Sequence, residues 1–501
     1  MKRSTLRDLA TDPVDVLVIG GGIYGLMTAR DAALRGLRTV LIERDDFGGG
    51  ASHNSLKIMH GGIRYIQHLD IGRLRASARE QAFWHRAAPD LIRPLAFLIP
   101  LFGHGVKGPE AFLAAATLYR LASTGLRGRD YGGAGIVGPA EARRRMGDLA
   151  PDGLTGGGVW RDGQILDANR LHLACLRGAV EAGARAANHM EAVALRRGGS
   201  GVTGALVRDR LDGHEAELTA RVTISCTGAA ARDLAGGAGQ AWPGFARATN
   251  VVVDRPADAA AFGIVSRDRS DAAVDRGGRM YFLTPWQGRT IIGTHEIPAS
   301  DGLARDEGDV TPFLREIEIA CPALALRAED VLWTYQGLIP ADVDDGRGGV
   351  RRHTRGSLID HSALDGLRGL ISVMGVKYTT ARLIAARAVD AAVRQVERPV
   401  PPSHSLQTPL PTVGLAPVDP DDETALAARL RTAFADEMAQ TLEDVVLRRT
   451  CLAETGALRG PAGETRLARL EESAASQRGW DAAHRVSQLT ALRQALGGVT
   501  R

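Results

Sequence analysis

One short stretch near the start of the chain constrains its fold more than any other. Residues 15–19 form an alternating, β-branched run that reads as a buried strand, and Gly20, Gly22 and Gly25 follow in the pattern G-x-G-x-x-G. A helical stretch then reaches Gly36, and a second strand over 38–42 ends at Glu43. Glycines in this pattern permit a tight turn and bring backbone N–H groups against a pyrophosphate at the positive end of the helix. An acid closing the second strand accepts hydrogen bonds from a ribose diol and disfavours the extra phosphate of NADP. Strand, glycines, helix, strand and acid in this order predict an α/β, Rossmann-like dinucleotide-binding domain.

Two later segments repeat the theme of a strand running into small residues. Residues 222–228, VTISCTG, end at Gly228, and residues 369–382, GLISVMGVKYTTAR, turn at Gly375 into a helix start that carries Thr379. Approach segments spread over some 350 residues suit a long cofactor held discontinuously, which favours FAD over NAD. Further strands are expected at 250–253 and 290–292, and a helix over 382–396.

At 501 residues the chain exceeds what one core serves, so two or three domains are expected. The cofactor domain takes residues 12–70, 150–235 and 345–398, and a sheet-based substrate domain takes 71–149 and 236–344. Seven of the 22 prolines fall between 399 and 420, which marks 399–421 as a linker to a helical domain over 422–501. Of the 62 basic residues 58 are arginine, yet the net charge is only +4 and no basic run occurs, which argues against a nucleic-acid binder. The four cysteines show no C-x-x-C spacing, so neither a zinc module nor a disulfide framework is expected, and a reducing cytoplasm fits. No apolar stretch follows the first basic residues, and the densest apolar patch, 95–102, is broken by Pro100 and too short to span a bilayer. The apolar stripe over 109–123 reads as a packing face, with a peripheral lipid contact as the alternative.

The stretch SHNSLKIMHGGIRYIQH, residues 52–68, resembles the FAD-dependent glycerol-3-phosphate dehydrogenase and oxidase family, whose members carry a similar K-x-x-H-G-G-x-R-Y block. The similarity continues through DGQILDANRL (162–171), YFLTPWQGRTIIGT (281–294), VLWTYQGLIP (331–340), TRGSLIDH (354–361), GVKYTTAR (375–382) and DVVLRRT (444–450). The resemblance implies FAD, hydride transfer from C2 of glycerol 3-phosphate to flavin N5, dihydroxyacetone phosphate as product, and a quinone or oxygen as electron acceptor. A cytoplasmic protein is expected, and the quinone-using members of the family imply one peripheral on the inner face of the cell membrane; a homodimer is left open. Matched by motif, Ser52, Ser55 and Lys57 fall to the cofactor, Arg64 and Tyr65 to the substrate, Arg355 to the phosphate side, and Lys377 to a place beside flavin and substrate.

This chain departs from the family where substrate is held. The usual G-x-R-P-L reads Gly337, Leu338, Ile339, Pro340, Ala341, so an arginine expected at the phosphate is isoleucine. Asn250 stands where a histidine is common, and asparagine can orient a hydroxyl but cannot act as a base. The usual G-T-T-D reads Gly293, Thr294, His295, Glu296, which makes His295 a candidate replacement base, with His60 its competitor. Two alternatives remain: a relative that oxidises another small hydroxylated compound, and a flavin-binding redox sensor.

Overall fold

The computed structural model describes residues 1–501 apart from 106–107, 200, 235–243, 257, 267–278, 300–309, 344–349, 353–356, 365 and 498–501. Val14–Ile19 is buried throughout because it has neighbours on both sides, Thr39–Ile42 and Glu215–Ser225, each paired with it in parallel. Leu370–Met374 extends the row in parallel, and Arg185–Ala187 and Ser357–Asp360 form its edges. Apolar runs without alternation suit a sheet covered on both faces. Ile23–Leu34, Ala168–Glu181 and Ala381–Val393 cover one face, and the antiparallel pair Met190–Gly198 and Gly201–Asp209 flanks the other. Register decides where the strands end: Ile19 is level with Ile42 and Ser225, and Ser225 with Ser372. Gly20, Glu43, Gly228 and Gly375 therefore gather at one edge, the carboxyl end at which such sheets bind ligands.

A second sheet of ten strands runs in the order Val350–Arg352, Val331–Val343, Gly244–Val253, Arg289–Pro298, Met280–Trp286, Ala261–Val265, Ile92–Phe102, Leu154–Ile165, Ile58–Met59, with Gly135–Val137 beside Leu154–Ile165. Leu154–Ile165 falls in the span that the sequence reading gave to the cofactor domain. It pairs along its length with Ile92–Phe102 and so belongs to this second sheet. One face of the sheet packs Val251, Val253, Tyr281 and Ile292 against the helix Thr311–Ala320. The opposite face carries Val252, Ile291 and Tyr335 against the C-terminal helices Glu423–Asp436, Leu442–Arg448, Gly460–Arg478 and Ala482–Leu496.

The proline-rich span is packed down and does not hang as a free linker. Proline-rich backbone leaves carbonyls outside any ladder, and arginines of the cofactor domain use them. Arg30 donates to the carbonyls of Thr408 and Pro409, Arg170 to those of Val413 and Gly414, and Arg382 to the Ser405 hydroxyl, while Leu410 is buried. In Pro109–Ala122, Phe112, Ala116 and Tyr119 are buried while Leu113 and Leu121 are exposed. Among the described residues no helix is long and apolar enough to cross a membrane.

Candidate functional site

The glycines build the cradle. Gly20 has φ +101°, and a Cβ there would lie 2.7 Å from the Cys226 carbonyl oxygen; a Cβ on Gly25 would lie 1.8 Å from the Gly20 oxygen. Only glycine allows the helix Ile23–Leu34 to pack this close to the strand ends. Gly22 caps that helix without a side chain, and the Ser52 hydroxyl accepts from the Ile23 N–H at 2.9 Å. Glu43 stands beside them, accepting from the Gly21 N–H at 2.6 Å and the Asp45 N–H at 2.9 Å. Burial pushes its carboxyl above the usual range, against the pull of those two N–H groups.

On the far side Gly375 leaves room for the Tyr24 ring, which a Cβ would approach to 2.2 Å. The Tyr24 hydroxyl donates to the Lys377 carbonyl at 2.8 Å and accepts from the Lys377 N–H at 3.1 Å, so the helix after Gly20 fixes the turn before Lys377. Trp84 Nε1 donates to the Thr379 carbonyl at 2.8 Å. The hydroxyls of Ser55 and Thr379 are buried without a hydrogen-bond partner among the described residues, a cost that a polar ligand would remove. Gly228, at φ +60°, opens an exposed turn. A glycine cradle, a helix N-terminus, a ribose-side acid and two waiting hydroxyls fit FAD, and these are the residues that would hold it.

Lys377 joins this edge to the loop 60–65. Its ammonium donates to the Ser77 hydroxyl at 2.9 Å and lies 4.9 Å from the centre of the Tyr65 ring. Burial lowers its pKa, opposed by Tyr65 and by the charge of Asp162. Gly62 makes the approach possible, since a Cβ there would sit 3.0 Å from Ser77 and 3.1 Å from Tyr65. Arg64 is exposed on the same loop. His60 Nδ1 lies 3.0 Å from Asp162 Oδ2. Asn250 is buried on the sheet face shared with Tyr335, and its Oδ1 accepts from the Thr294 hydroxyl at 2.7 Å. Ile339 follows on that face by strand alternation. Arg355 lies outside the described residues.

One expected residue sits elsewhere. His295 is level with Thr249, whereas Gly293 is level with Asn250, so Thr294 is an extra residue in the strand. That bulge turns His295 to the face under Thr311–Ala320, where Tyr281 and Glu316 bond it and Phe313 stacks on it at 5.0 Å. It is not brought to Lys377. Lys57, held at φ 62°, donates to the His53 carbonyl and lies 4.1 Å over the Tyr335 ring. Burial lowers its pKa to about 8, against the charges of Glu454, Cys451 and Asp167. The sequence reading missed Tyr24, Ser77 and Asp162 as site residues; for Asp162 the signal was an acid between Trp160 and Gly163 in an apolar strand.

A family model described as FAD dependent oxidoreductase matches residues 15–391. Glycerol-3-phosphate dehydrogenase of Synechocystis sp. is 32% identical over 415 residues, which cover 79% of this chain and 73% of that protein. The mitochondrial glycerol-3-phosphate dehydrogenase of Homo sapiens is 31% identical over 426 residues, covering 81% of this chain; the match spans only 55% of that longer protein. Among solved structures, the glycerol-3-phosphate dehydrogenase of Bacillus halodurans complexed with FAD superposes with TM-score 0.69 at 22% identity, covering 98% of this chain and 95% of that one. The FAD-bound L-alpha-glycerophosphate oxidase of Mycoplasma pneumoniae gives 0.54 at 16% identity, covering 80% and 100%. At such identities the superpositions speak for the fold.

Proposed function

The chain belongs to the family of FAD-dependent oxidoreductases that includes the glycerol-3-phosphate dehydrogenases, and on that premise we propose that it oxidises the secondary alcohol of glycerol 3-phosphate to dihydroxyacetone phosphate. The observation that carries this reading is the seat of Lys377: one cation held by Ser77 and Tyr65, on a turn fixed by Tyr24 of the cofactor cradle. FAD, when bound, supplies the acceptor for the hydride that leaves C2.

The chain's own residues do the rest. His60 takes the hydroxyl proton as the alcohol becomes a carbonyl, a task that suits an imidazole near neutral pH. Lys377 places positive charge where negative charge develops during hydride transfer. Asn250 orients the substrate through its side-chain amide, since its oxygen is taken by Thr294. Arg64 supplies a guanidinium for the phosphate, with Arg355 as the second by motif. Turnover then needs a diffusible electron acceptor, a quinone or oxygen. A peripheral membrane contact finds support in Leu69 and Leu121, which are 72% and 68% exposed.

The test is anaerobic bleaching of the oxidised flavin band with glycerol 3-phosphate, glycerol, 2-hydroxy acids and amino acids. Glycerol 3-phosphate should bleach it fastest. Bleaching by an uncharged alcohol alone would overturn the phosphate assignment, and bleaching by none would favour the redox-sensor alternative.

A further inference from the structure

We propose that Asp162 is a positioning residue for proton transfer, holding His60 in the tautomer that leaves Nε2 unprotonated and open to the substrate hydroxyl; this rests on the reading of His60 as base. The Asp162 side chain is 1% exposed and that of His60 is 42% exposed, so the pair joins a buried acid to an imidazole that reaches open space. His60 Nδ1 lies 3.0 Å from Asp162 Oδ2. A carboxylate can only accept, which fixes the proton on Nδ1 and leaves the Nε2 lone pair free.

The acid is itself held rigidly. Its Oδ1 accepts from the Gly61 N–H at 2.7 Å and from Gln81 Nε2 at 2.9 Å, and its Oδ2 also accepts from Trp160 Nε1 at 3.2 Å. Gln81 further donates to the Met59 carbonyl at 2.7 Å, so one amide side chain ties the acid to the strand Ile58–Met59 just before His60. Gly61 is needed here, because a Cβ would fall 2.6 Å from the Tyr119 hydroxyl and 2.8 Å from Gln81 Oε1. A spacing of two residues separates this anchored pair from Gly62, against which Ser77, the partner of Lys377, is packed.

The charged and titratable groups around the pair are Arg127, Tyr119, Tyr131 and Lys377. Arg127 lies 5.0 Å and 5.1 Å over the Tyr119 and Tyr131 rings, and both rings and Lys377 feel the Asp162 charge. Burial alone would raise the Asp162 carboxyl, but the hydrogen bond and charge of His60, with the Gly61 N–H and Arg127, hold it below the usual range. It therefore stays ionised at the pH at which an imidazole exchanges a proton, as the role requires.

The test uses FAD-loaded full-length protein and the variants Asp162→Asn, His60→Gln and the double variant. Asp162→Asn keeps the size and an acceptor for Gly61 but offers N–H toward His60, which favours the wrong tautomer. Anaerobic flavin reduction by glycerol 3-phosphate should slow by at least about tenfold, within the span of a general base, while the substrate dissociation constant read from flavin spectral perturbation stays unchanged. In the His60→Gln background, Asp162→Asn should cause no further loss. If His60→Gln slows reduction and Asp162→Asn does not, the positioning role is wrong and the base reading stands. If His60→Gln reduces as fast as the parent, the base reading fails and takes this one with it. Losses that multiply in the double variant would show Asp162 acting by another route and overturn the proposal. Should Asp162→Asn not retain FAD, Asp162→Glu carries the test: it keeps a carboxylate for Nδ1, so reduction should slow less than in His60→Gln with the substrate dissociation constant unchanged, and a loss as large as that of His60→Gln would contradict the role.

Discussion

Arg449 and Asp46 form a two-pronged ion pair between the C-terminal helical segment and the loop that follows Glu43, with Nη1 2.5 Å from Oδ2 and Nη2 3.1 Å from Oδ1. Both side chains are buried, and the same guanidinium donates to the Glu437 carbonyl. The helical domain thereby fixes the loop that follows Glu43. Removing one partner strands the other charge in low dielectric, so Arg449→Met should cost about 3 to 5 kcal/mol in denaturant unfolding. Arg449→Met with Asp46→Leu should recover much of that loss, which a double-mutant cycle would read.

The cradle makes a sharper demand. Gly25→Ala places a Cβ 1.8 Å from the Gly20 oxygen, a distance that no rotamer relieves because the clash is with backbone. The variant should be purified without flavin absorbance or not fold. Normal flavin content would mean that the helix can move away from the strand end and that this cradle does not hold the cofactor.

A second tie between the domains titrates. His189 Nε2 lies 2.9 Å from Asp444 Oδ2, with side chains 13% and 4% exposed. Burial pushes the His189 pKa down, but the bond and charge of Asp444 outweigh it, leaving the pKa raised; the Asp444 pKa is lowered, with burial again opposing. A raised histidine contributes stability fully below its unfolded value of about 6.5 and loses it as pH rises through the folded value, while a lowered aspartate contributes above about 3.9. His189→Gln should therefore destabilise by ~1.5–3 kcal/mol at pH 6 and by clearly less at pH 9. Equal losses at both values, measured by urea unfolding, would exclude the charged pair.

Substrate affinity offers a gain-of-function test. Ile339 follows Tyr335 and Gly337 on the face that carries Asn250. Ile339→Arg should tighten glycerol 3-phosphate by roughly tenfold to a hundredfold, the worth of a charge-assisted contact of ~1.5–3 kcal/mol, with little change for uncharged glycerol. A clear loss for glycerol 3-phosphate with no gain for other compounds would show that the phosphate does not lie on this face.

What could be read in advance was whatever local pattern controls. The strand expected over 15–19 is Val14–Ile19, the one that opens the segment 369–382 is Leu370–Met374, and the helix expected over 382–396 is Ala381–Val393, because unbroken apolar runs and helical spacing are properties of neighbouring residues. The position of His295 depended on one bulged residue, Thr294, which spacing cannot reveal and which reverses the face of every residue after it. The left-handed backbone of Lys57 and the place of its ammonium over the Tyr335 ring, 278 positions later, are likewise beyond what local pattern controls. The partners of Asp162, Lys377 and Asp46 lie 102, 300 and 403 positions away, and only the folded sheet brings them together.

In the proposed reaction a hydrogen leaves C2 of glycerol 3-phosphate as hydride, which FAD, when bound, would accept. Anaerobic mixing of the FAD-loaded protein with glycerol 3-phosphate carrying protium or deuterium at C2 tests it directly. The expected result is complete bleaching of the oxidised flavin band, severalfold slower with deuterium. A band that glycerol 3-phosphate leaves intact, while another alcohol or an amino acid bleaches it, would overturn glycerol 3-phosphate as the substrate.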